Sequence, residues 1–217
     1  MTTEIKVLRN LSYGMYAISV TDGQRPTGCI VNTVFQITSE NPIVAVSLNK
    51  NNYTYQVIKQ TGRFSVSILS EQTNRSVITA LGFTSGKDKD KFEGLKYHFV
   101  DNLPVLEEEC SGALICDVVS MTETPTHIVI LGKVVQAEEG KGAQPMTYRY
   151  YHEVVKGGTP QNAPSYVERQ EEESAGQGVE YVCKICGYVH KGDIAAEPED
   201  YTCPICGVSK SNFTKKN

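Results

Sequence analysis

From Leu11 to about Lys156 the apolar positions fall in short runs rich in Val, Ile, Thr and Tyr, interrupted every few residues by polar turn sequences. This is the pattern of half-buried strands, not of long helical stripes. Candidate strands are Tyr13–Thr21, Gly28–Ile37, Ile43–Leu48, Arg63–Leu69, Gly112–Glu123 and His127–Glu138, separated by turn signals such as DGQRPTG, SENP and TGR. Two short helices fit between them, Thr54–Gln60 and Asn74–Phe83, the second with Val77, Ile78 and Leu81 on one face. Several strands with two short helical insertions predict a mainly β barrel and not a βαβ sheet.

After Lys156 the pattern stops. GGTPQNAP has loop composition, and ERQEEESAGQG is polar, acidic and without apolar residues other than alanine. Its last eleven residues, Glu168–Gly178, would reach about 35–40 Å fully extended. Beyond them stand Cys183, Cys186, Cys203 and Cys206, two Cys-x-x-Cys pairs with 16 residues between them. Two thiolates per pair and two pairs suit one tetrahedral sulfur site. Gly187 and Gly207 follow the pairs, and glycine lets the chain turn through positive φ and direct backbone N–H groups at the sulfurs. Spacing alone leaves the metal open between zinc, as in a structural ribbon, and iron.

The chain of 217 residues has room for one ordinary domain and one small one, and 40% hydrophobic content supports a core. A net charge of −4 gives no reason to expect nucleic acid, and no apolar run approaches a membrane span of ~20 residues. The N-terminal MTTEIKVLRN lacks a secretory apolar segment, so a cytoplasmic location is expected. In a reducing compartment the other cysteines, Cys29, Cys110 and Cys116, are expected as buried thiols. No GxGxxG follows a strand, so a Rossmann dinucleotide site is not supported.

CKICGYVHKGD and CPICGVSKSNF resemble rubredoxin, a one-iron electron carrier, in its CxxCGY and CPxCGxxKxxF segments. The loop between them is shorter than the usual one, closer to the small rubredoxin modules fused to other redox domains. With no tryptophan in the chain, Tyr181, Tyr188, Tyr201 and Phe213 must fill the module's core. The stretch from Thr27 to Leu69, together with SGKDKDKF, THIVILGKV and PMTYRYYHEVVKGGTP, resembles the flavin reductase family. That resemblance implies a split β-barrel that binds FMN (in some members FAD) and is usually a homodimer. The expected boundaries are a flavin-binding barrel at 1–167, a linker at 168–178 and an iron module at 179–217.

By this resemblance Thr27, Gly28, Cys29, Asn32 and Thr33 lie along the flavin ring, where glycine and small side chains permit close approach. Asn32 and Thr33 also fit ordinary polar strand positions, and Thr27 a structural turn. Ser47, Leu48, Asn49, Lys50, Asn52 and Thr54 stand where a strand gives way to a helix, a place suited to the flavin phosphate. Lys50 adds a point charge there, although alone it reads as a surface lysine. Lys91 is a second candidate cation, set in DKDKF, a segment that reads as a solvated charge run. His127 occupies the histidine place of the family's GDH-like motif, but Pro125 and Thr126 precede it, so the acidic neighbour is missing. It is a candidate for contact with nicotinamide or flavin, and a packed or solvent-facing histidine fits as well.

The whole chain resembles the high-molecular-weight rubredoxins, flavin reductase–rubredoxin fusions. The resemblance implies a relay in which NAD(P)H delivers a hydride, FMN accepts both electrons, and a single iron passes them on one at a time. The implied acceptor is a flavodiiron protein that reduces nitric oxide or dioxygen. Two alternatives stay open: a free-flavin reductase with a structural zinc ribbon, and a non-enzymatic electron carrier whose FMN is reduced by a separate protein.

Overall fold

Continuous buried runs mark the central strands at Tyr16–Thr21 and Arg63–Leu69, while the strand His127–Glu139 alternates buried and half-exposed positions. The computed structural model describes residues 5–87, 89–142, 144–155, 179–185, 187–203 and 208–216; the expected linker at 168–178 lies outside them. After a 3-10 turn at Ile5–Asn10 come β1 (Tyr16–Thr21), β2 (Pro26–Val31), β3 (Val34–Thr38), β4 (Ile43–Asn49), α1 (Tyr53–Thr61), β5 (Arg63–Leu69) and α2 (Arg75–Gly82). A hairpin of β6 (Tyr97–Val100) and β7 (Leu103–Leu106) precedes two long strands, β8 (Cys110–Glu123) and β9 (His127–Glu139), and then α3 (Tyr148–Glu153).

Seven of these strands form one antiparallel sheet in the order β2-β1-β5-β8-β9-β4-β3. Its two edge strands, β2 and β3, are neighbours in sequence, joined only by Asn32 and Thr33. Three Cα–Cα steps span at most about 11 Å, so the sheet must curl until its edges meet. No ladder joins β2 to β3 among the described pairings, which makes the barrel split. The single strand expected over Gly28–Ile37 is thus two: the chain leaves β1 at Val31 and takes up β4 from Val34.

Inside the curl pack Ile18, Val20, Val46, Leu48, Ile58, Phe64, Val66, Ile115, Ile128 and Ile130. Phe64 lies at full burial against Gly132 of β9, where an added Cβ would come 2.6 Å from Phe64 Cζ. Helix α1 closes this core with Tyr55, Val57 and Ile58. Asn52 caps its start, accepting from Thr54 N at 2.9 Å, and Gly62 ends it at φ +70°. A second core lies on the outer face, where Val77, Ile78 and Leu81 of α2 meet Met15, Ala17, Leu69 and Phe92. Strands β1 and β5 are therefore covered on both sides.

The β6–β7 hairpin packs on β5 through serines: Ser65 Oγ donates to Pro104 O at 2.5 Å, and Leu106 N donates to Ser67 Oγ at 3.3 Å. Its turn is Asp101–Asn102, both at positive φ, a two-residue turn of primed type. The C-terminal part forms a separate three-stranded sheet in the order β11-β10-β12, from β10 (Glu180–Cys183), β11 (Val189–Lys191) and β12 (Phe213–Lys215). Cys183, Ile194, Cys203 and Phe213 form its core, with Tyr181, Tyr188 and Tyr201 packed around it. Among the described residues no helix is long and apolar enough to cross a membrane.

The Phe64–Gly132 contact predicts a coupled pair of mutants. Phe64→Ala should lower stability by about 3–5 kcal/mol through the cavity it leaves, and Gly132→Ala by about 1–3 kcal/mol through overpacking. In a Phe64→Leu background the Gly132→Ala loss should shrink, because the ring that the new methyl strikes is gone. Urea unfolding of the four proteins measures this coupling.

Candidate functional site

Where β2 gives up its pairing with β1, a row of polar side chains is buried at the sheet edge. Thr27 and Cys29 pair with Val20 and Ile18 and share their inward face. Thr27, Cys29 and Asn32 are all buried. The Cys29 thiol lies within hydrogen-bonding reach of Thr54 and Asn52 at the start of α1, and close to Lys91. Burial pushes this thiol up, and those neighbours only partly offset it. Gly28 has a packing reason of its own: a Cβ there would lie 2.8 Å from Ile18 O and 3.3 Å from the Phe92 ring. Its missing side chain thus serves the outer face, opposite Thr27 and Cys29.

Thr33 extends the β3–β4 ladder by one rung toward the split. Its hydroxyl donates to Ser47 O at 3.1 Å, and Ser47 N donates to Thr33 O at 3.2 Å. Leu48 turns inward into the core, while Asn49 pairs across the ladder with His127. Asn49 Oδ1 accepts from Asn51 N at 2.9 Å and shapes the turn into α1. Lys50 leans over this turn to Glu123, with Nζ 3.1 Å from Oε2. His127 starts β9 with Nδ1 2.8 Å from Thr126 Oγ1 and its backbone N–H on Thr124 Oγ1 at 3.1 Å. The predicted residues therefore fall on two margins of the split: Thr27, Cys29, Asn52 and Thr54 on one, and Ser47, Asn49, Lys50 and His127 on the other. Asn32 and Thr33 join them.

One residue of this site is not a solvated charge, contrary to the sequence pattern around it. Lys91 is only 6% exposed, and its Nζ donates to Leu81 O at 2.6 Å. Burial lowers its ammonium pKa from the ordinary 10.5 to about 8. Facing the same space is Thr27 Oγ1, buried and without a hydrogen-bond partner. The 84–87 loop closes over both: a Cβ on Gly86 would collide with Thr27 Oγ1 and come 3.2 Å from Lys91 Cδ and from Tyr53 Cδ1. Arg25 in the β1–β2 turn fastens the loop, donating to Gly86 O at 3.1 Å and Lys87 O at 3.2 Å. Asp22 takes the Tyr53 hydroxyl at 3.1 Å, tying turn and helix together. A buried ammonium, an orphaned hydroxyl, a glycine packed close to both residues and the N-terminus of α1 make a donor set that fits an anion such as a phosphate. The available sequence signal was Phe92, an aromatic directly after Lys91 that anchors the segment in the outer core.

In the C-terminal sheet Cys183 and Cys203 are buried in one cluster. Cys183 N donates to Tyr188 O at 2.9 Å and Cys203 N to Val208 O at 2.7 Å, so two loops of equal length fold back on their first cysteine. Gly187 sits at φ +74° in the first loop, where a side chain would be strained. Cys186 and Cys206 lie outside the described residues. The repeated loop, with its first thiol buried, fits a thiolate-held metal of the zinc or iron type. Cys29, Cys110 and Cys116 are buried thiols, as expected.

Comparison with known proteins agrees with both halves. Residues 8–159 match the flavin reductase like domain family and residues 181–214 the rubrerythrin, rubredoxin-like domain. The chain is 38% identical to a high molecular weight rubredoxin of Moorella thermoacetica over 97% of this chain and 98% of that one. It is 34% identical to a ferric-chelate reductase (NAD(P)H) of Archaeoglobus fulgidus over 76% of this chain and 98% of the other. The fold is shared with flavoredoxin from Methanosarcina acetivorans, with a TM-score of 0.54, 22% identity, and 60% and 70% of the two chains covered. An NADH:FAD oxidoreductase of Streptomyces globisporus, in complex with NAD and FAD fragments, matches with a TM-score of 0.59 at 17% identity over 77% and 91% of the chains. A mainly β split barrel followed by a rubredoxin-like module, with these matches, places this chain in the flavin reductase-like family and, along its whole length, among the high-molecular-weight rubredoxins, a group of oxidoreductases.

Proposed function

We propose that the protein is an NAD(P)H-dependent flavo-rubredoxin that carries electrons from a nicotinamide through FMN to a single iron, and from there to a one-electron acceptor protein. The observation that carries this reading is the buried Lys91 ammonium beside the orphaned Thr27 hydroxyl at the split, on a chain that also holds the paired cysteine loops. When bound, the flavin takes a hydride's two electrons together and releases them singly, and thiolate-held iron takes one at a time. The proposed domains are the barrel at 1–167, a linker at 168–178 and the iron module at 179–217.

In this reading Lys91, Thr27 and the first turn of α1, with Asn52 and Thr54, hold the flavin phosphate, and Arg25 keeps the Gly86 loop shut over it. Gly28, Cys29, Asn32 and Thr33 form the wall along the ring, with Ser47, Leu48 and Asn49 behind it. Lys50 and His127 stand on the opposite margin, where a nicotinamide would approach. Cys183, Cys186, Cys203 and Cys206 hold the iron. The acceptor implied by family likeness is a flavodiiron protein, and the proposed setting is the cytoplasm.

A homodimer is part of the proposal. Phe35 on the β3 edge is 60% exposed and Val119 on β8 56%, with Ile37 and Val135 also open. Apolar residues gathered on strands β3, β8 and β9 suit a second copy of the chain. Light scattering at micromolar concentration should give twice the 23.9 kDa of one chain; a monomer that keeps its FMN would overturn the dimer.

Lys91 yields a test with a pH signature. Lys91→Met should weaken FMN binding roughly ten- to a hundredfold, since a charge-assisted hydrogen bond is worth about 1.5–3 kcal/mol. In the wild type, FMN affinity should fall as pH rises through about 8, where the empty cradle loses its charge. Riboflavin, which lacks the phosphate, should show no such slope. The sign for folding is opposite. The unfolded chain keeps this proton to about 10.5, so the flavin-free protein gains stability between pH 8 and 10.5. Fluorescence titration and urea unfolding at pH 7 and 9.5 read both effects.

Metal exchange tests the relay itself. Zinc should fold the C-terminal module as iron does, but it has no accessible redox change. Zinc-loaded protein should therefore keep NADH-driven flavin bleaching and lose electron delivery to a one-electron acceptor in anaerobic stopped flow. Equal delivery by the zinc form would refute the relay and leave a flavin reductase with a structural metal.

A further inference from the structure

Phe83 belongs to two cores at once. It directly follows α2, with its N–H on Thr79 O at 3.3 Å, and its half-buried ring packs against the α2 core of the barrel. The same ring packs against the cluster of Cys183, Ile194, Cys203 and Phe213 in the C-terminal module. No other residue of the barrel is common to the two clusters among the described residues. We propose that Phe83 is the docking post on which the cysteine module seats itself beside the anion cradle of its own chain.

Phe83 is the last apolar residue before the polar loop at 84–87, at the margin of the α2 core. The module gains from the contact as well. Among the described residues its apolar cluster has four buried members, a small core for a segment of fewer than 40 residues, a size at which burial alone seldom suffices. The post is also tied to the flavin-side machinery. Gly82, just before it, touches Ile30 of β2, with a Cβ position 3.5 Å from Ile30 Cγ1. Leu81, one residue earlier, supplies the carbonyl that holds Lys91. Three residues after Phe83 comes Gly86, which closes over Thr27. One turn of chain thus carries the module's seat, the lysine's anchor and the loop over the cradle.

The proposed linker at 168–178 is eleven residues long and would extend to about 35–40 Å. The choice of the module's own barrel rests on the Phe83 contact. This inference builds on the flavo-rubredoxin reading, but it concerns where the module sits and not what flows through it.

The test places p-benzoylphenylalanine at position 83 of the full chain, loaded with iron and FMN. Irradiation should link position 83 to residues between 181 and 213, with the product at single-chain mass on a denaturing gel. Links confined to the barrel would overturn the proposal, and so would a product of doubled mass, which would mean docking on the partner copy. In a second measurement, Phe83→Ser in the full chain should speed amide exchange in Tyr181–Val189 at least about tenfold while β5 and β8 keep their protection. Unchanged exchange there would put the seat elsewhere. Neither readout depends on electron transfer. A failure here leaves the redox reading standing, and a failure of the relay leaves the docking standing.

Discussion

Most of this molecule follows from the two-residue connection at Asn32–Thr33 between opposite edges of a seven-stranded sheet. Because the join is so short, the sheet cannot lie open, and its inner face closes on Phe64, Ile58 and their neighbours. Because no ladder forms between β2 and β3, the closure leaves a seam where the chain changes partners. Polar side chains collect at that seam, as they must where main-chain pairing is interrupted and the local groups still need partners. The seam lies under the start of α1 on one side and against His127 on the other, so curvature and binding site have one origin.

The electrostatics of the cradle oppose folding and favour a ligand. Burying an ammonium next to an orphaned hydroxyl destabilises the empty protein. The turn at Asp22–Arg25, the hydroxyl of Tyr53 and the carbonyl of Leu81 hold the arrangement in place. In the proposed role such a site is preorganised: its donors would need no rearrangement when an anion arrives, and the anion would relieve the cost of the buried charge. The metal module is built differently. Cys183 and Cys203 sit in a core of a few aromatic rings, and metal binding supplies much of the folding free energy in modules of this type.

What the sequence made legible was what is local in the chain. The cysteine pairs and Gly187 declare themselves by spacing, and the strands Arg63–Leu69 and His127–Glu139 by their β-branched runs. The break at Asn32–Thr33 was hidden, because Gly28 to Ile37 favours extended backbone throughout and the change of partner is a tertiary event. Burial of Lys91 was hidden by its neighbours Lys87, Lys89 and Asp90, which read as solvent-facing; only Phe92 pointed inward. The β6–β7 hairpin carried a usable signal in Asp101–Asn102 between YHFV and LPVL. Pro104 weakened it, since proline argues against a central strand. Whether Phe83 meets the module is set by contacts between segments about a hundred residues apart, to which no local pattern points.

The three thiols of the barrel have a chemical consequence of their own. Burial pushes Cys110 up to about 11 and Cys116 up to about 12, and it raises Cys29 as well. Only a thiolate attacks peroxide or exchanges with a disulfide at useful speed. At neutral pH these three sulfurs are therefore protonated and out of solvent, even though Cys29 borders the proposed flavin. A catalyst handling low-potential electrons sheds some of them to dioxygen and bathes its own surroundings in peroxide. In the proposed role the sulfur nearest that leak is chemically silent, and the oxidisable thiolates of the chain are those assigned to the metal.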